Sequence, residues 1–330
     1  MRLMLRRRRD AERAGGAEAI SARKRALFAD LRTSPVAVHT DEANEQHYEV
    51  PTEFFELMLG PHLKYSSAYW PRGVQTLQQA EEAMLRLTCE RAELTDGQDV
   101  LELGCGWGSL TLWMAAQYPS SRITAVSNSA TQRQFIEKQA VARGLDNVTV
   151  VTRDVNVFGT DETQEHVAGG FDRVVSVEMF EHVRNHTTLT DRVASWLRPG
   201  GKLFVHIFAN REVAYPFDTG GSGDWMARHF FTGGLMPSDD LLLHTVESLT
   251  IEDHWVVSGE HYARTLEAWT DRMWANRERI LQLFTDTYGA DRAEAWFQRW
   301  RVFNTACAEL FAFDGGDEWW VSHYRFAKPV

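Results

Sequence analysis

Three side chains that can transfer protons lie within five residues of one another, at Glu178, Glu181 and His182. They directly follow a short apolar run, Val174–Val177, which is typical of a buried strand. A carboxylate at a strand end can attract a cation and accept a proton, and an imidazole can act as a general base near neutral pH. Helix capping with surface charge is the alternative explanation. Two acids and a histidine at one strand end favour the first explanation, so we predict acid–base chemistry there.

A glycine-rich turn, Gly104-Cys105-Gly106-Trp107-Gly108, follows another apolar run and opens a predicted helix. Glycines at such a turn let the backbone bend tightly and approach a ligand without an intervening Cβ atom. The turn alone does not distinguish one nucleoside cofactor from another, because dinucleotide-binding enzymes contain a similar one.

Two other strand ends narrow the choice of cofactor. A dinucleotide fold places an acid at the end of its second strand; here that strand is followed by Asn128, with Gln132 one helical turn later, and their amides can hold ribose hydroxyls. The third strand ends at Asp154, whose carboxylate can accept from the exocyclic amine of adenine, and the N–H of Val155 can donate to a ring nitrogen. A turn or capping role is the alternative for Asp154. The pattern predicts a nucleoside cofactor other than a nicotinamide dinucleotide.

The elements that must position these residues alternate regularly along the chain. Short apolar runs occur at Val100–Leu103, Ile123–Val126, Val148–Val151, Val174–Val177 and Leu203–Ile207. Predicted helices lie between them at Ser109–Tyr118, Ala130–Arg143 and His186–Leu197. This alternation predicts a parallel sheet with helices on both faces. Two later runs, Leu249–Val257 and Trp319–Phe326, complete a seven-stranded, mostly parallel α/β fold with an antiparallel edge.

The charge balance and the cysteines limit the classes of partner and compartment. A net charge of −11 argues against nucleic-acid binding, because phosphate contacts need surplus Lys and Arg. The run Arg6–Arg9 is the exception; we interpret it as a solvated tail, with contact to anionic lipid or RNA as the alternative. No apolar stretch approaches the ~20 residues of a membrane span. Cys89, Cys105 and Cys307 are widely spaced, which predicts a reducing compartment, the cytoplasm, without disulfides or a thiolate metal site.

Three regions differ in composition. We predict an N-terminal helical extension over residues 1–43, a cofactor-binding core with its N-terminal lid over 44–210, and an aromatic-rich, largely helical substrate-side elaboration over 211–330. The last region contains most of the 12 tryptophans: Trp225, Trp255, Trp269, Trp274, Trp296, Trp300, Trp319 and Trp320. For most of them we expect core packing.

Several motifs together resemble the cyclopropane-fatty-acid-synthase superfamily of methyltransferases. They are the glycine turn at Gly104–Gly108, Asn128 with Gln132, Val177–His182 and Lys64–Trp70. Within the superfamily the chain is most similar to the coclaurine N-methyltransferase branch, through His47–Pro51, Phe230–Ser238, Asp253–Trp255 with His261-Tyr262, and Ala306–Phe311. The resemblance covers the chain from about Asn44 onward. It implies the class I methyltransferase fold, which is Rossmann-like.

The resemblance implies S-adenosyl-L-methionine as the cofactor, with S-adenosyl-L-homocysteine (SAH) as its product. It also implies the residues that surround each part of the cofactor. These are Tyr65 and Ser66 at the methionine part, Gly104 and Gly106 at the amino-acid tail, Asn128 and Gln132 at the ribose, Asp154 and Val155 at the adenine, and Val177 near the sulfonium.

Methyl transfer to the nitrogen of a small-molecule amine, alkaloid-like or arylalkylamine, is the activity that the resemblance implies. Glu178, Glu181 and His182 would position and deprotonate the acceptor for in-line displacement, and His206 and Tyr262 are placed nearby by the resemblance, with a core role as the alternative for His206. Expected pocket residues are Ser67, Trp225, Phe230, Phe231, Met236, Trp319 and Trp320, with Gly220–Gly223 as a hinge. No metal, nucleic-acid partner or stable membrane insertion is expected. The sequence does not decide between a monomer and a homodimer.

Two other functions are weighed against this one. Cyclopropane synthases methylate an unsaturated acyl chain of a phospholipid and hold bicarbonate with a Cys, a Glu, a His and a Tyr. Glu181, His206 and Tyr262 match that set, but Ser67 stands at the cysteine position. Glu178 stands where those enzymes tend to have a small residue, and a second carboxylate would repel bicarbonate and suit a cationic amine. A non-catalytic protein that binds the cofactor is disfavoured because the acid–histidine cluster is intact.

Overall fold

The computed structural model describes residues 1–38, 50–160, 167, 170–217, 230 and 233–330. Its strands are β1 (Asp99–Leu103), β2 (Arg122–Ser127), β3 (Val148–Thr152), β4 (Phe171–Val177), β5 (Leu197–Asn210), β6 (Tyr215–Pro216), β7 (Leu235–Met236), β8 (Thr250–Val257) and β9 (Trp319–Ala327). β6 and β7 pair with each other, and the other seven form one sheet.

The large sheet has the strand order β3-β2-β1-β4-β5-β9-β8. β1 to β5 are parallel, and β9 runs antiparallel between β5 and β8. The predicted seven-stranded, mostly parallel fold with an antiparallel edge is confirmed. Because the carboxyl ends of parallel strands meet at one edge of a sheet, the side chains that follow β1 to β4 are brought together there.

One boundary differs from the prediction. Pro199-Gly200-Gly201, a sequence that predicts a turn into the fifth strand, lies within β5, which begins at Leu197. Leu197 pairs with Phe171 on β4, and the register then shifts before Lys202 pairs with Arg173. Gly200 has φ +74, so the strand accommodates the bend through a residue that tolerates the left-handed region.

Helices cover both faces of the sheet. They are α1 (Arg2–Glu12), α2 (Gly16–Thr33), α3 (Thr52–Met58), α4 (Leu77–Arg91), α5 (Ser109–Gln117), α6 (Ala130–Arg143), α7 (His186–Trp196), α8 (Leu241–Thr245), α9 (Gly259–Ala275), α10 (Arg277–Tyr288) and α11 (Ala290–Phe311). Neighbouring residues of β1 belong to different cores: Val100 packs with Leu110 of α5, whereas Leu101 packs with Leu189 of α7. Alternation along the strand therefore builds two apolar layers.

A third, largely aromatic core lies between the carboxyl edge of the sheet and helices α3, α9, α10 and α11. Trp269 and Trp300 are almost fully buried in it, beside Phe54 and Phe284. Within the largely helical region predicted at the C-terminus, the sequence from about Tyr262 to Phe311 reads as helical, and the structure has three helices there, α9, α10 and α11. The last break falls at a glycine that leaves helical geometry, Gly289, with φ +94. The expected core role of the tryptophans holds for these two.

The N-terminal arginines lie in α1 and differ in exposure. Arg6 and Arg7 are exposed, as the solvated-tail interpretation expects. Arg8 lies over the ring of Tyr215 at 4.3 Å, and Arg9 pairs with Asp314 at 2.9 Å. For these two the interpretation is wrong, because α1 lays their aliphatic stems and guanidinium heads on aromatic and acidic residues of the C-terminal region.

The cysteines and the helices bear on the predictions about disulfides and membrane insertion. All three cysteines are buried free thiols. No helix among the described residues has both the length and the apolarity that a bilayer crossing requires. The proposed division into residues 1–43, 44–210 and 211–330 stays a prediction.

Candidate active site

Two adjoining cavities open at the carboxyl ends of the parallel strands. The larger has a volume of about 510 Å³ and is lined by Glu178, Glu181 and His182. The smaller has a volume of about 120 Å³ and lies beside the ends of β2 and β3. Both are lined by Gly104, Gly106, Gln132 and His182, so they form two parts of one cleft.

The glycine turn forms the floor between these parts. Gly104 has φ +78 and Gly106 has φ +53, conformations that favour glycine. A Cβ atom on Gly104 would lie 2.7 Å from the Met179 side chain, whereas a Cβ on Gly106 would meet nothing within 4 Å. The space above Gly106 therefore belongs to the cleft, and a ligand can approach the backbone there.

Gln132 supplies an unsatisfied amide to the cleft. Its Oε1 accepts from the Ser127 hydroxyl at 2.7 Å, which fixes the orientation of the side chain. Its Nε2 is buried and has no hydrogen-bond partner among the described residues. An unpaired buried donor costs about 1–3 kcal/mol, which a ligand hydroxyl would recover. Asn128 lines the smaller cavity nearby.

Asp154 and Val155 differ in position. Asp154 Oδ1 accepts from the backbone N–H of Asn156 at 2.6 Å, so this side chain stabilises the turn after β3. It does not line either of the two cavities, whereas Val155 lines the smaller one. The contact of Asp154 with adenine stays a prediction, and the turn role weighed against it is present.

The remaining predicted cofactor residues lie on the larger cavity. Tyr65, Ser66 and Val177 all line it. The Tyr65 ring packs against Trp269 with centroids 5.6 Å apart, which ties the segment before α4 to α9. This segment therefore covers the cleft from the side opposite the sheet.

Glu178 is the point at which four separate segments meet. Its N–H donates to the carbonyl of His206 at 2.8 Å, and its φ of +48 is unusual for a non-glycine residue. Its Oε1 accepts from the N–H of Ser67 at 2.8 Å and lies 3.1 Å from His206 Nε2. Its Oε2 accepts from the Tyr262 hydroxyl at 2.5 Å. The strained backbone thus aims a carboxylate at partners far apart in sequence.

Opposing effects act on the ionisation of Glu178. Burial raises the pKa of Glu178 above its usual value, and the charge of Lys64 and the hydrogen bonds from Tyr262 and Ser67 offset only part of this rise. Burial and the charge of Glu178 raise the pKa of Tyr262 well above its usual value, so the phenol keeps its proton and donates. A carboxylate surrounded by donors is best satisfied in its ionised form.

Glu181 has a different environment from Glu178. It lies in the 3₁₀ turn Phe180–His182 and is only 1% exposed. Burial, with the charge of Glu178, raises the pKa of Glu181 well above its usual value. Its Oε2 has no hydrogen-bond partner among the described residues. A donor or a cation within the cavity would satisfy this oxygen.

Several buried charges near the cleft were not singled out from the sequence. Lys64 is 3% exposed, and burial lowers its pKa to about 8 against the opposing charges of Glu178, Glu81 and Glu102. Burial raises the pKa of Glu102 to about 8, and Thr111 donates to this carboxyl at 2.5 Å. The sequence feature that could have revealed Glu102 is the presence of an acidic residue within the apolar run of β1.

The predicted pocket residues are only partly brought together. Ser67 lies beside Glu178, and Met236 lines the larger cavity. Phe230 stacks on Phe303, which lines the cavity, with centroids 4.2 Å apart, so it supports that wall from behind. Trp225, Phe231 and the hinge at Gly220–Gly223 lie outside the described residues.

Neither Trp319 nor Trp320 lines the two cavities. The indole N–H of Trp319 donates to the Tyr215 hydroxyl at 3.3 Å within the aromatic core. Trp320 points to the opposite face of β9, where its N–H donates to Asp239 at 3.0 Å. Adjacent residues on a strand point to opposite faces, so at most one of the two could face the cleft.

The apolar wall is built mainly from α9 and α11 of the predicted substrate-side region, and it includes Trp269, one of the tryptophans for which core packing was expected. It includes Phe208, Phe217, Leu266, Trp269, Phe303 and Phe311. Cys307 also lines the cavity, and burial raises the pKa of its thiol, which therefore stays protonated and a poor nucleophile. The periodicity of a helix does not distinguish a wall from a core.

Comparison with known proteins agrees with the motifs. The family of mycolic acid cyclopropane synthetases matches residues 37–317. An (S)-coclaurine N-methyltransferase from Thalictrum flavum subsp. glaucum is 38% identical over 306 residues, which is 92% of this chain and 83% of that protein. A pavine N-methyltransferase from the same organism is 33% identical and matches 90% of this chain and 83% of its own length.

A solved structure resembles the whole chain. It is a coclaurine N-methyltransferase bound to N-methylheliamine and SAH, with a TM-score of 0.92 and 34% identity over 98% of this chain and 94% of that one. The resemblance stated from the sequence motifs is confirmed by these matches.

Proposed function

Because the chain belongs to the mycolic acid cyclopropane synthetase family and is an S-adenosylmethionine-dependent N-methyltransferase, we propose that it methylates a small alkaloid-like or arylalkylamine acceptor held by the Glu178–Glu181–His182 cluster. The observation that carries this proposal is the pair of carboxyl groups, Glu178 and Glu181, in a cavity with aromatic walls. A protonated amine satisfies both acids, and aromatic faces attract cations by about 0.5–2 kcal/mol each.

The cleft fits the cofactor that this activity requires. Gln132 Nε2 offers an unpaired donor for a ribose hydroxyl, and the open space above Gly106 admits the amino-acid tail. Tyr65, Ser66 and Val177 line the larger cavity, where the methionine part would lie. When bound, S-adenosylmethionine supplies a methyl group already activated by the sulfonium, so positioning governs the rate.

The acidic cluster would handle the proton of the acceptor. A protonated amine has no free lone pair, so the bound acceptor would first give up a proton; its nitrogen would then take up the methyl group, and the cofactor sulfur would keep the electron pair of the C–S bond. The Glu178 carboxylate, held by three donors, attracts and orients the nitrogen. His182 and Glu181 line the same cavity and would receive the proton as general bases.

A labelling experiment tests the proposal. The protein is incubated with methyl-labelled S-adenosylmethionine and a panel of arylalkylamines, benzylisoquinolines and unsaturated phospholipids. We expect label on the nitrogen of at least one amine. Label in phospholipid with none in any amine would instead favour acyl-chain methylation, and a Glu178→Gln variant is the control for transfer that does not depend on the cluster.

A further inference from the structure

A chain of hydrogen-bonded side chains reaches Glu178 through residues that do not line the larger cavity. Arg91 ends α4, His323 lies on β9, and His206 is the cross-strand partner of His323 on β5. Arg91 Nη1 lies 2.7 Å from His323 Nδ1. His323 Nε2 lies 2.9 Å from His206 Nδ1, and His206 Nε2 lies 3.1 Å from Glu178 Oε1.

The chemistry of arginine sets the direction of every bond in this chain. A guanidinium carries only donors, so His323 Nδ1 must accept and its proton must reside on Nε2. His323 Nε2–H therefore donates to His206 Nδ1. His206 in turn keeps its proton on Nε2 and donates to Glu178 Oε1. A single donor-only residue at one end thus determines the tautomer of both rings.

Both imidazoles are held neutral, which this arrangement requires. His206 and His323 are 0% exposed. Burial lowers the pKa of each ring well below its usual value, and the charges of Lys64 and Arg91 act in the same direction. A neutral ring has one donor and one acceptor, so its tautomer is the remaining variable.

We propose that Arg91 and His323 are positioning residues that fix the tautomer of His206, so that His206 Nε2–H holds the Glu178 carboxylate ionised and aimed at the acceptor nitrogen. Only the use of Glu178 by the acceptor rests on the proposed function. The tautomer order is a property of the protein without any substrate.

The other ionisable groups around this chain come from several elements. Those that act on Glu178 or respond to its charge are Lys64, Glu181, His182, Tyr262 and Cys307. Those that act on the two imidazoles are Arg91, Lys64 and His254. Among these groups, Arg91 is the one that bonds to His323 Nδ1, the atom at which the tautomer of both rings is set.

Loss of the orienting donor has a defined consequence. If His206 moved its proton to Nδ1, Nε2 would present a lone pair to the Glu178 carboxylate. The ionised form of Glu178 would lose a hydrogen bond, and its pKa would rise further. Because the reactive form is the ionised one, the acid limb of the kcat/KM profile would move to higher pH.

The first test reads the tautomers directly. In the full-length protein labelled with ¹⁵N-histidine, long-range ¹H–¹⁵N spectra distinguish protonated from unprotonated ring nitrogens, and single His206→Gln and His323→Gln variants assign the two rings. We expect both rings to be protonated on Nε2 and not on Nδ1, without cofactor or acceptor. A proton on Nδ1 of either ring would overturn the proposal.

The second test compares matched variants at each position. Gln at position 323 keeps a donor toward His206, whereas Leu has similar size and no donor. We expect His323→Leu to move the acid limb of kcat/KM for a benzylisoquinoline upward by about one pH unit, and so to lower kcat/KM on that limb by up to about tenfold, while His323→Gln stays near wild type. Arg91, which is partly exposed, allows the same contrast. Arg91→Met removes the donor and should behave like His323→Leu, whereas Arg91→Lys keeps a donor and should behave like His323→Gln.

The outcomes separate this proposal from the proposed function. Equal losses in the Leu and Gln variants, or an unmoved acid limb, would mean that the residues only support packing. S-adenosylmethionine affinity should stay within twofold in all four variants, which checks folding independently. A wild-type protein that methylates no amine would refute the proposed function, while the tautomer spectra would still decide the order of the hydrogen bonds.

Discussion

Glu178 and Glu181 are three residues apart in sequence, yet their surroundings give them different chemistry. Glu178 accepts from a backbone N–H and a phenol and lies within hydrogen-bonding distance of an imidazole, an environment suited to a fixed negative charge. Glu181 is buried with one oxygen unpartnered among the described residues, an environment suited to exchanging a proton or receiving a cation. Two carboxyl groups close together separate their ionisation in this way because both cannot easily carry charge.

Substitution of the second acid tests this division. We expect Glu181→Gln and His182→Ala each to lower kcat at least tenfold, since both remove a proton acceptor from the acceptor side of the cleft. S-adenosylmethionine affinity, measured by calorimetry, should change less than twofold. Glu267→Gln, an exposed change on α9, is the matched control. Parallel losses of turnover and cofactor affinity would assign Glu181 a folding role instead.

At the scale of elements, the two sides of the cleft are built differently. The side proposed for the cofactor rests on the turns after β1 and β2, where the strand positions are set by the sheet. The side proposed for the acceptor uses side chains from α9 and α11, and it reaches the N-terminus, where Met1 and the α1 residues Met4 and Leu5 also line the larger cavity. Arg2 of α1 pairs with Glu309 of α11 at 2.7 Å, so the N-terminal helix lies against the wall of the cavity.

The glycine turn allows a sharp test at this scale. A side chain at Gly106 would project into the cleft, since no protein atom occupies the space around its Cβ position. We therefore expect Gly106→Leu to weaken S-adenosylmethionine binding at least a hundredfold in calorimetry.

Gly73 provides the control for backbone strain. It has φ +95, equally open surroundings and an exposed position outside the two cavities. Gly73→Leu should lower the melting temperature by a similar amount and leave cofactor binding intact. Normal binding by Gly106→Leu would mean that the cofactor lies elsewhere.

At the scale of the whole molecule, the cleft requires charges to be buried, and this affects stability. Burial raises the pKa of Glu102 to about 8 and that of Glu81 to about 7. In the unfolded chain an ordinary glutamate titrates near about 4.3. Between the unfolded and the folded pKa values, the folded protein therefore binds more protons than the unfolded chain. The contribution of these two groups to the free energy of unfolding is lost as the pH rises through their folded pKa values.

Replacing Glu102, whose pKa is raised further than that of Glu81, tests the predicted loss of stability with rising pH. Between pH 6 and pH 9, without cofactor, we expect the melting temperature of Glu102→Gln to fall less than that of the wild type, by about 2 °C or more. Differential scanning calorimetry measures the difference. The exposed Glu90→Gln should follow the wild type, and a steeper fall for Glu102→Gln would refute the assignment.

The sequence by itself determined the order of the strands and helices, the turn at Gly104–Gly108, the family and its cofactor. The element order and the turn depend on local patterns: apolar runs of strand length, and glycines at a strand-to-helix turn. The family and its cofactor came from the resemblance that the motifs carry. Of the five residues predicted as catalytic, two, His206 and Tyr262, came from the resemblance alone, and the catalytic role of all five stays a prediction.

Only the tertiary structure decided which side chains meet. The contact of Glu178 with His206 and Tyr262, and that of His323 with Arg91, join residues far apart in the chain. Such contacts depend on strand register and helix packing, which leave no short-range trace in the sequence. For the same reason the aromatic residues of α9 and α11 read as core, because a helix that lines a cavity and a helix that fills a core have the same apolar periodicity.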